Sequence, residues 1–547
     1  MPKPQEEKIS VLTIQQPMGG WIPAPYAVPS AGLEGKDGTY TTSAGVSLVR
    51  KEKMGHIAPA EIFSTGSITD TGSYFNSLPR AMAIDVTATP NVHWYITGGL
   101  AGTAPGVVKV TSGATVSRRD ITAPAGNFTA LPGTGYWGED IIFYTANQSS
   151  AAVPMILYAY NTSSTGGVGL YNIGSASFTS DDFFSSTYFA GATRPMAGVP
   201  HRFCEGPDKI VYMTNGQYIA SYDGNTGANG TYNDAALNLG AGWVGVDVVK
   251  YQNYIAIACI KNGTSFNSYT SRSESKIVLW DGFSLDFNFS YDCEDNVVGA
   301  LYNSSVLYAI TQGLNGTTKL KYLPIAYGVS KLTTAYETST ASIGGAPDPR
   351  SLDLYMGSLT WFGNNTNTPT TSGAVSQFNG GFHQPFIVSD GTNVASPIGM
   401  VKNVSANQLY VGGKFGSTYK VVYLDGTGGA YVNGTWRSKL YELPYKSTIH
   451  KIIVYFSQFG SASSMKFSLY KDYTTTNDQV NETITQSTYG GWTLSSNNTN
   501  LAIPLLKKTI PDVSSFYINL TFNHSATTDT PAIVRKIEIY YSQTIKP

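Results

Sequence analysis

"IVYMTNGQYIASYDGNTG", Ile210–Gly227, holds two turns around one short strand. An apolar run stops at Asn215-Gly216, a second begins at Gln217, and that one stops at Asp223-Gly224. Asn-Gly and Asp-Gly supply the positive-φ residues that two-residue hairpins need, so the stretch reads as an antiparallel meander. The same order returns in "YIAIACIKNGTS…SKIVLWDGFS" from Tyr254, "VLYAITQGLNGTTKLKYLP" from Val306 and "QLYVGGKFGSTYKVVYLDGTGG" from Gln408. Weaker copies start at Trp94, Asp140 and Leu352.

Successive starts lie roughly 45 to 70 residues apart, near the blade length of about 40–50 residues in β-propellers. A single four-stranded meander has two faces to cover and cannot bury both. Set radially, each meander packs on its neighbours and the ring protects its own edges. The expected fold is therefore all-β: a propeller of six to eight blades, seven favoured, over residues 81–433. The Asp-Gly pairs are expected as tight turns between inner and outer strands of a blade, their aspartates structural rather than catalytic.

The chain has 547 residues, of which 13% are charged, with a formal net charge of −1. That balance offers no electrostatic footprint for nucleic acid or an anionic membrane. "RKEK", Arg50–Lys53, is the nearest approach to a basic run and has a glutamate inside it. No segment approaches a membrane-spanning run of about 18 apolar residues, and the first residues lack the apolar core of a signal peptide. Cys204, Cys259 and Cys293 are odd in number and far apart, which implies no disulfide framework. Triplets of the form Asn-x-Ser/Thr, such as those at Asn127, Asn161, Asn229, Asn262, Asn433 and Asn519, arise by chance in Asn- and Thr-rich turns.

Residues 1–80 are rich in Gly, Pro and aromatic residues without sustained periodicity, and are expected to form an extended N-terminal arm with lead-in strands. After Gly434 strands lengthen and alternate more cleanly. In "KIEIYYS", Lys536–Ser542, Ile537, Ile539 and Tyr541 share one face while Lys536, Glu538 and Tyr540 share the other. Residues 434–547 are expected as an antiparallel β-sandwich, Ig-like or jelly-roll-like.

A catalytic site requires residue types that shape alone does not. His56, His93, His201, His383, His450 and His524 stand singly, so no zinc-ligand spacing occurs. "DGNTGANGTYND" from Asp223 and "YDCEDN" from Tyr291 miss the order of a calcium loop. For glycoside cleavage, which needs two carboxylates, the candidates are Glu139–Asp140, Asp181–Asp182 and Glu294–Asp295. Adjacent acids on a regular strand point to opposite faces, so none of these neighbours is itself a pair. Trp137, Tyr222, Trp243, Trp280, Trp361 and Trp492 lie near turns, where aromatic faces stack on sugars or pack blade on blade. The reading carries no catalytic, cofactor-binding or metal residue, no cofactor, and a protein that is not an enzyme.

The lead-in "GVSLVRKEKMGHIAP", the aromatic-Asp-Gly endings, and the junction "TWRSKLYELPYKSTIHKIIVYF" from Thr435 together resemble tail-associated virion proteins of tailed bacteriophages, in which a propeller precedes a small sandwich. The resemblance implies a structural tail protein (nozzle, hub or tail-associated) assembled in many copies. Its partners would be copies of itself and other virion proteins, and it would be made in the host cytoplasm and located in the virion. The alternative is a carbohydrate- or receptor-binding propeller of a virion or cell surface, touching host glycan.

Overall fold

The computed structural model describes residues 9–14, 40–44, 46–50, 53–59, 61–67, 74–98, 106–111, 116–120, 137–148, 151–161, 165–180, 182–194, 196–226, 229–261, 274–303, 306–313, 316–323, 331–339, 347–355, 358–363, 374–378, 382–388, 390, 393, 395–405, 408–431, 433–472, 478–488, 500–505, 509–524 and 530–543. Every regular element among them is a strand.

Four-stranded antiparallel meanders follow one another along the chain. Blade 1 comprises Pro79–Asp85, Val92–Thr97, Gly106–Val110 and Val116–Asp120, and blade 2 comprises Trp137–Gln148, Ala151–Asn161, Gly166–Asn172 and Ser177–Ser180. Blade 3 is Phe203–Glu205, Val211–Asn215, Tyr218–Asp223 and Thr231–Asn238; blade 4 is Trp243–Tyr251, Tyr254–Lys261, Ser275–Trp280 and Phe289–Asp292. Blade 5 is Asn296–Asn303, Val306–Gln312, Thr317–Tyr322 and Thr333–Ser339; blade 6 is Pro347–Tyr355, Ser358–Gly363, Ala374–Phe378 and Phe382–Val388. Blade 7 takes Ala395–Ser405, Gln408–Phe415 and Thr418–Tyr431, and receives its outermost strand, Glu61–Ser67, from before blade 1. That borrowed strand closes the ring with hydrogen bonds between the two ends of the propeller.

Counted by sheets the propeller is six-bladed, with five sheets of four strands and one of eight. The eight-stranded sheet contains two meanders, blades 6 and 7, joined where Phe386–Val388 runs parallel to Glu61–Phe63. The first strands of all seven meanders pack in a closed circuit, blade 7 returning to blade 1. The seven repeat starts correspond one to one with these meanders. Five of them, at Trp94, Ile210, Tyr254, Val306 and Gln408, fall at the second strand rather than the first.

The Asp-Gly pairs of blades 3 and 4 end the third strand, not an innermost one. Their position has a packing reason. Trp280 meets Tyr212 of blade 3 edge-on at 5.4 Å, and a Cβ on Gly282 (φ +86°) would lie 2.5 Å from the Tyr212 hydroxyl oxygen. One blade earlier, Tyr222 meets Tyr144 of blade 2 at 6.0 Å, and the Gly224 amide donates to the Tyr144 hydroxyl at 3.2 Å. An aromatic residue followed by Asp-Gly thus seats the turn against a tyrosine of the preceding blade. In blade 7 the Asp425-Gly426 pair instead lies inside Thr418–Tyr431, where pairing to Glu61–Ser67 shifts register.

The terminal unit packs Gly434–Ser438, Tyr441–Ser457, Ser463–Lys471, Asp478–Thr485, Asn500–Pro504, Ile510–His524 and Ile533–Gln543. Ile537 and Ile539 are buried as their alternation predicts, whereas Tyr541 is half-buried. On the other face Glu538 accepts from Lys536 at 2.7 Å, Tyr455 at 2.8 Å and Tyr540 at 3.0 Å. Strands of the first region are built into this unit: Ser10–Ile14 pairs with Ile533–Gln543, and Tyr40–Ala44 with Gly434–Ser438. We keep 1–80, 81–433 and 434–547 as proposed sequence regions, with the described strands of the first lying in the sheets of the other two. Leu320 of blade 5, Leu352 of blade 6 and Phe456 and Ile539 of the terminal unit belong to one hydrophobic cluster.

Candidate functional site at the propeller axis

Six of the seven innermost strands are irregular, that of blade 3 being the regular one. Register shifts fall between Pro79 and Ala81, Gly138 and Asp140, Gly245 and Asp247, Val297 and Gly299, Pro347 and Leu352, and Ile398 and Met400. A bulge adds an unpaired residue and re-aims the side chains beside it. At the axis it lets polar groups from separate blades converge.

Three aspartates make the same two-part contact. Asp140 accepts from the Ile141 amide at 2.9 Å through one oxygen and from Phe203 of blade 3 at 2.8 Å through the other. Asp247 does so with Val248 at 3.0 Å and Ala300 of blade 5 at 2.9 Å. Asp353 repeats it with Leu354 at 2.7 Å and Asn403 of blade 7 at 2.8 Å. Each carboxylate satisfies its own strand and fastens the next blade, meeting the requirement that buried amides be paired.

Arg202 lies between two of them, 3.3 Å from Asp140 and 3.3 Å from Asp247. Burial raises the Asp247 carboxyl from its ordinary value, and the Arg202 charge and the amide contacts work against that rise. Arg350 of blade 6 reaches across the ring to Glu139 of blade 2 at 2.5 Å, and both side chains are buried, at 0% and 5% exposure. These contacts frame a cavity of about 400 Å³ lined by Asp140, Arg202, Glu205, Arg350, Asp353 and Lys402, with Phe143, Phe203 and Cys204 among the less polar groups. Glu205 pairs with Lys209 at 2.7 Å. Lys402 is exposed. Burial pushes the Cys204 thiol up to about 12, which keeps it protonated and unreactive at neutral pH.

Of the expected acid candidates among the described residues, only Glu139–Asp140 reaches the axis. Strict alternation fails there because Glu139 is the extra residue of a bulge, so it pairs with Arg350 while Asp140 faces the cavity. Asp182 is half-buried beyond the last strand of blade 2, its carboxyl raised by burial; Asp181 lies outside the described residues. Glu294 and Asp295 sit where blade 4 gives way to blade 5, bound to Lys319, Lys321 and Lys331. Tyr222 and Trp280 are buried between blades. Trp243 is half-buried beneath the Lys276 ammonium, 4.1 Å from the ring centre. The side chains of Trp137, Trp361 and Trp492 lie outside the described residues, as do those of His56 and His383. His201 is buried, its two ring nitrogens 2.8 Å and 3.0 Å from the carbonyls of Thr214 and Ala197. Among the described residues no three His, Cys, Asp or Glu side chains gather as a metal site.

Sequence reading misses Arg202, Glu205, Asp247, Arg350, Asp353 and Lys402. A signal existed: "GEDII" at Gly138, "GVDVV" at Gly245 and "SLDLY" at Ser351 place an aspartate at one phase before two strand-forming residues.

No family model and no curated protein matches the chain. Solved structures do. A Dos1 propeller is similar over 67% of this chain and 96% of its own, at 10% identity and a TM-score of 0.42. A Trypanosoma rangeli sialidase in complex with sialic acid is similar over 93% and 95%, at 9% identity and 0.30. An Aleuria aurantia lectin mutant in complex with α-methyl-L-fucoside covers 68% and 100%, at 10% identity and 0.32. These are likenesses of fold alone. The expectation that the chain is not an enzyme is corrected: a sialidase, an arabinanase and glycoside hydrolases of a mannoside phosphorylase family stand among the similar structures.

Proposed function

We propose that this propeller is directed at carbohydrate and that its axial cavity is the sugar site. The observation that carries the reading is the cavity itself. Its volume of about 400 Å³ falls within the range of about 300–1,000 Å³ typical of small-molecule pockets. Its walls combine acceptor carboxylates with donor guanidinium and ammonium groups, and a polyol, whose hydroxyls both donate and accept, can use each. Rigid anchoring of the carboxylates to neighbouring blades pre-organises them for a ligand, which lowers the entropy lost on binding. Carboxylates at such a site also suit glycoside cleavage, so binding alone and binding with turnover both fall within this reading.

The resemblance to tail proteins adds a setting: on a virion, the same cavity would meet host-surface glycan, with copies of the chain and other virion proteins as partners. That setting rests on sequence style alone.

A glycan array followed by calorimetric titration of each hit, together with an aryl-glycoside turnover assay, tests the proposal. Glu205→Gln and Lys402→Ala, both outside the buried ion pairs, should weaken binding at least fivefold without lowering the melting temperature. Absence of any glycan binding and of any turnover would overturn it.

A further inference from the structure

We infer that the ligand of the axial cavity is a neutral sugar and not a carboxylated one such as a uronic or sialic acid. The inference rests on the carbohydrate reading above and adds the substrate class. Three acidic side chains, Asp140, Glu205 and Asp353, and three basic ones, Arg202, Arg350 and Lys402, line the cavity. The groups paired with them add the carboxylates of Glu139 and Asp247 and the ammonium of Lys209. Among the described residues the assembly therefore carries one more carboxylate than cation, a balance that does not attract an anion.

Placement matters more than the sum. An acidic sugar needs a cation whose charge is not already balanced, and neither arginine supplies one or can be freed cheaply. Arg350 is fully buried against Glu139, itself 5% exposed, and drawing it away would leave a carboxylate stranded out of water. Arg202 is shared between Asp140 and Asp247, the latter 2% exposed, so its withdrawal would strand two. Lys402 remains. It is exposed, and an exposed ammonium holds a carboxylate weakly. The amide that follows it, Asn403 N–H, is already bound by Asp353 at 2.8 Å, which sets a negative charge beside any anion drawn to Lys402. Hydroxyls meet no such obstacle: they can add hydrogen bonds to charged groups without breaking the pairs.

The test titrates the full-length chain with matched free oligosaccharides, glucose-terminated against glucuronate-terminated and desialylated against sialylated. The neutral member of each pair should bind at least tenfold tighter, and Lys402→Ala should leave that ratio unchanged. Equal or tighter binding of the acidic members would overturn the inference while leaving the carbohydrate reading intact. So would a ratio that depends on Lys402, since this would make that ammonium an anion site. If neither member of any pair binds, the carbohydrate reading itself falls, and this inference with it.

Discussion

Asp247 and Asp281 belong to the same blade, yet they satisfy their oxygens in opposite ways. Asp247, at the axis, takes its partners from three blades: Val248 beside it, Ala300 in blade 5 and Arg202 in blade 3. Asp281, at the outer turn, accepts from the Phe283 and Ser284 amides at 2.9 and 2.8 Å, the Ser284 hydroxyl at 2.6 Å and the Asn288 amide group at 3.1 Å, all within its own loop. One aspartate holds blades together and the other shapes a turn. The axis is thus cooperative and buried, whereas the rim is modular and wet.

The comparison breaks most readily at the axis. Asp247→Ala should destabilise the fold by about 3–5 kcal/mol, because it leaves a largely buried arginine short of a counter-charge and removes an amide acceptor in the next blade. Urea unfolding checks this, and a loss under 1 kcal/mol would mean that the axial contacts are incidental to the ring. Next in size is Gly282→Ala. At φ +86° and with a Cβ 2.5 Å from the Tyr212 hydroxyl, alanine should cost about 1–3 kcal/mol, read as a lowered melting temperature. Thermal unfolding indistinguishable from wild type would show that the turn can lift off blade 3.

These two residues also mark how far the sequence could be read. Gly282 was visible as part of an Asp-Gly turn because turn chemistry is written in adjacent residues. The seven meanders were visible for the same reason, since each is announced by its own apolar runs and glycines. The axial site was not, because its pairs lie far apart in the chain: Arg202 meets residues on either side in blades 2 and 4, and Arg350 meets Glu139 at a separation of 211 residues. Nothing near Arg350 distinguishes it from a surface arginine. Glu139–Asp140 is legible as two adjacent acids, but the alternation rule that sends them to opposite faces assumes a regular strand, and the bulge at Glu139 removes that premise. The strand Glu61–Ser67 illustrates the same limit: its sequence reads as lead-in, and only the closed ring shows that it completes blade 7.

Asp281→Ala should have a smaller effect than either, about 1 kcal/mol, because water can replace the lost acceptor in an exposed loop. Its diagnostic is locality: hydrogen exchange should quicken at Phe283 and Ser284 while the axial amides of Val248 and Ala300 keep their protection. Quickening at the axis would erase the distinction between the two regions.

Glu294 falls between the two cases and should give the smallest effect. It joins the surface ammonium of Lys331 at 2.9 Å to the fully buried Lys321 at 3.2 Å, so it is partly a rim contact and partly a blade-to-blade one. The hydrogen bond from Lys331, followed by the contacts with Lys321, brings its carboxyl down to about 2 from an ordinary 4.5. A carboxyl lowered on folding stabilises the fold fully above its unfolded value and loses that contribution as pH falls through the folded one. The stability difference between wild type and Glu294→Gln should therefore be constant above pH 4.5 and shrink as pH falls toward about 2. With 43% of the side chain exposed, solvent screening holds the plateau to under about 1 kcal/mol. A larger difference would place Glu294 with the axial carboxylates, because only a pair shielded from water could hold so much. None at all would mean that water screens both of its lysine contacts completely.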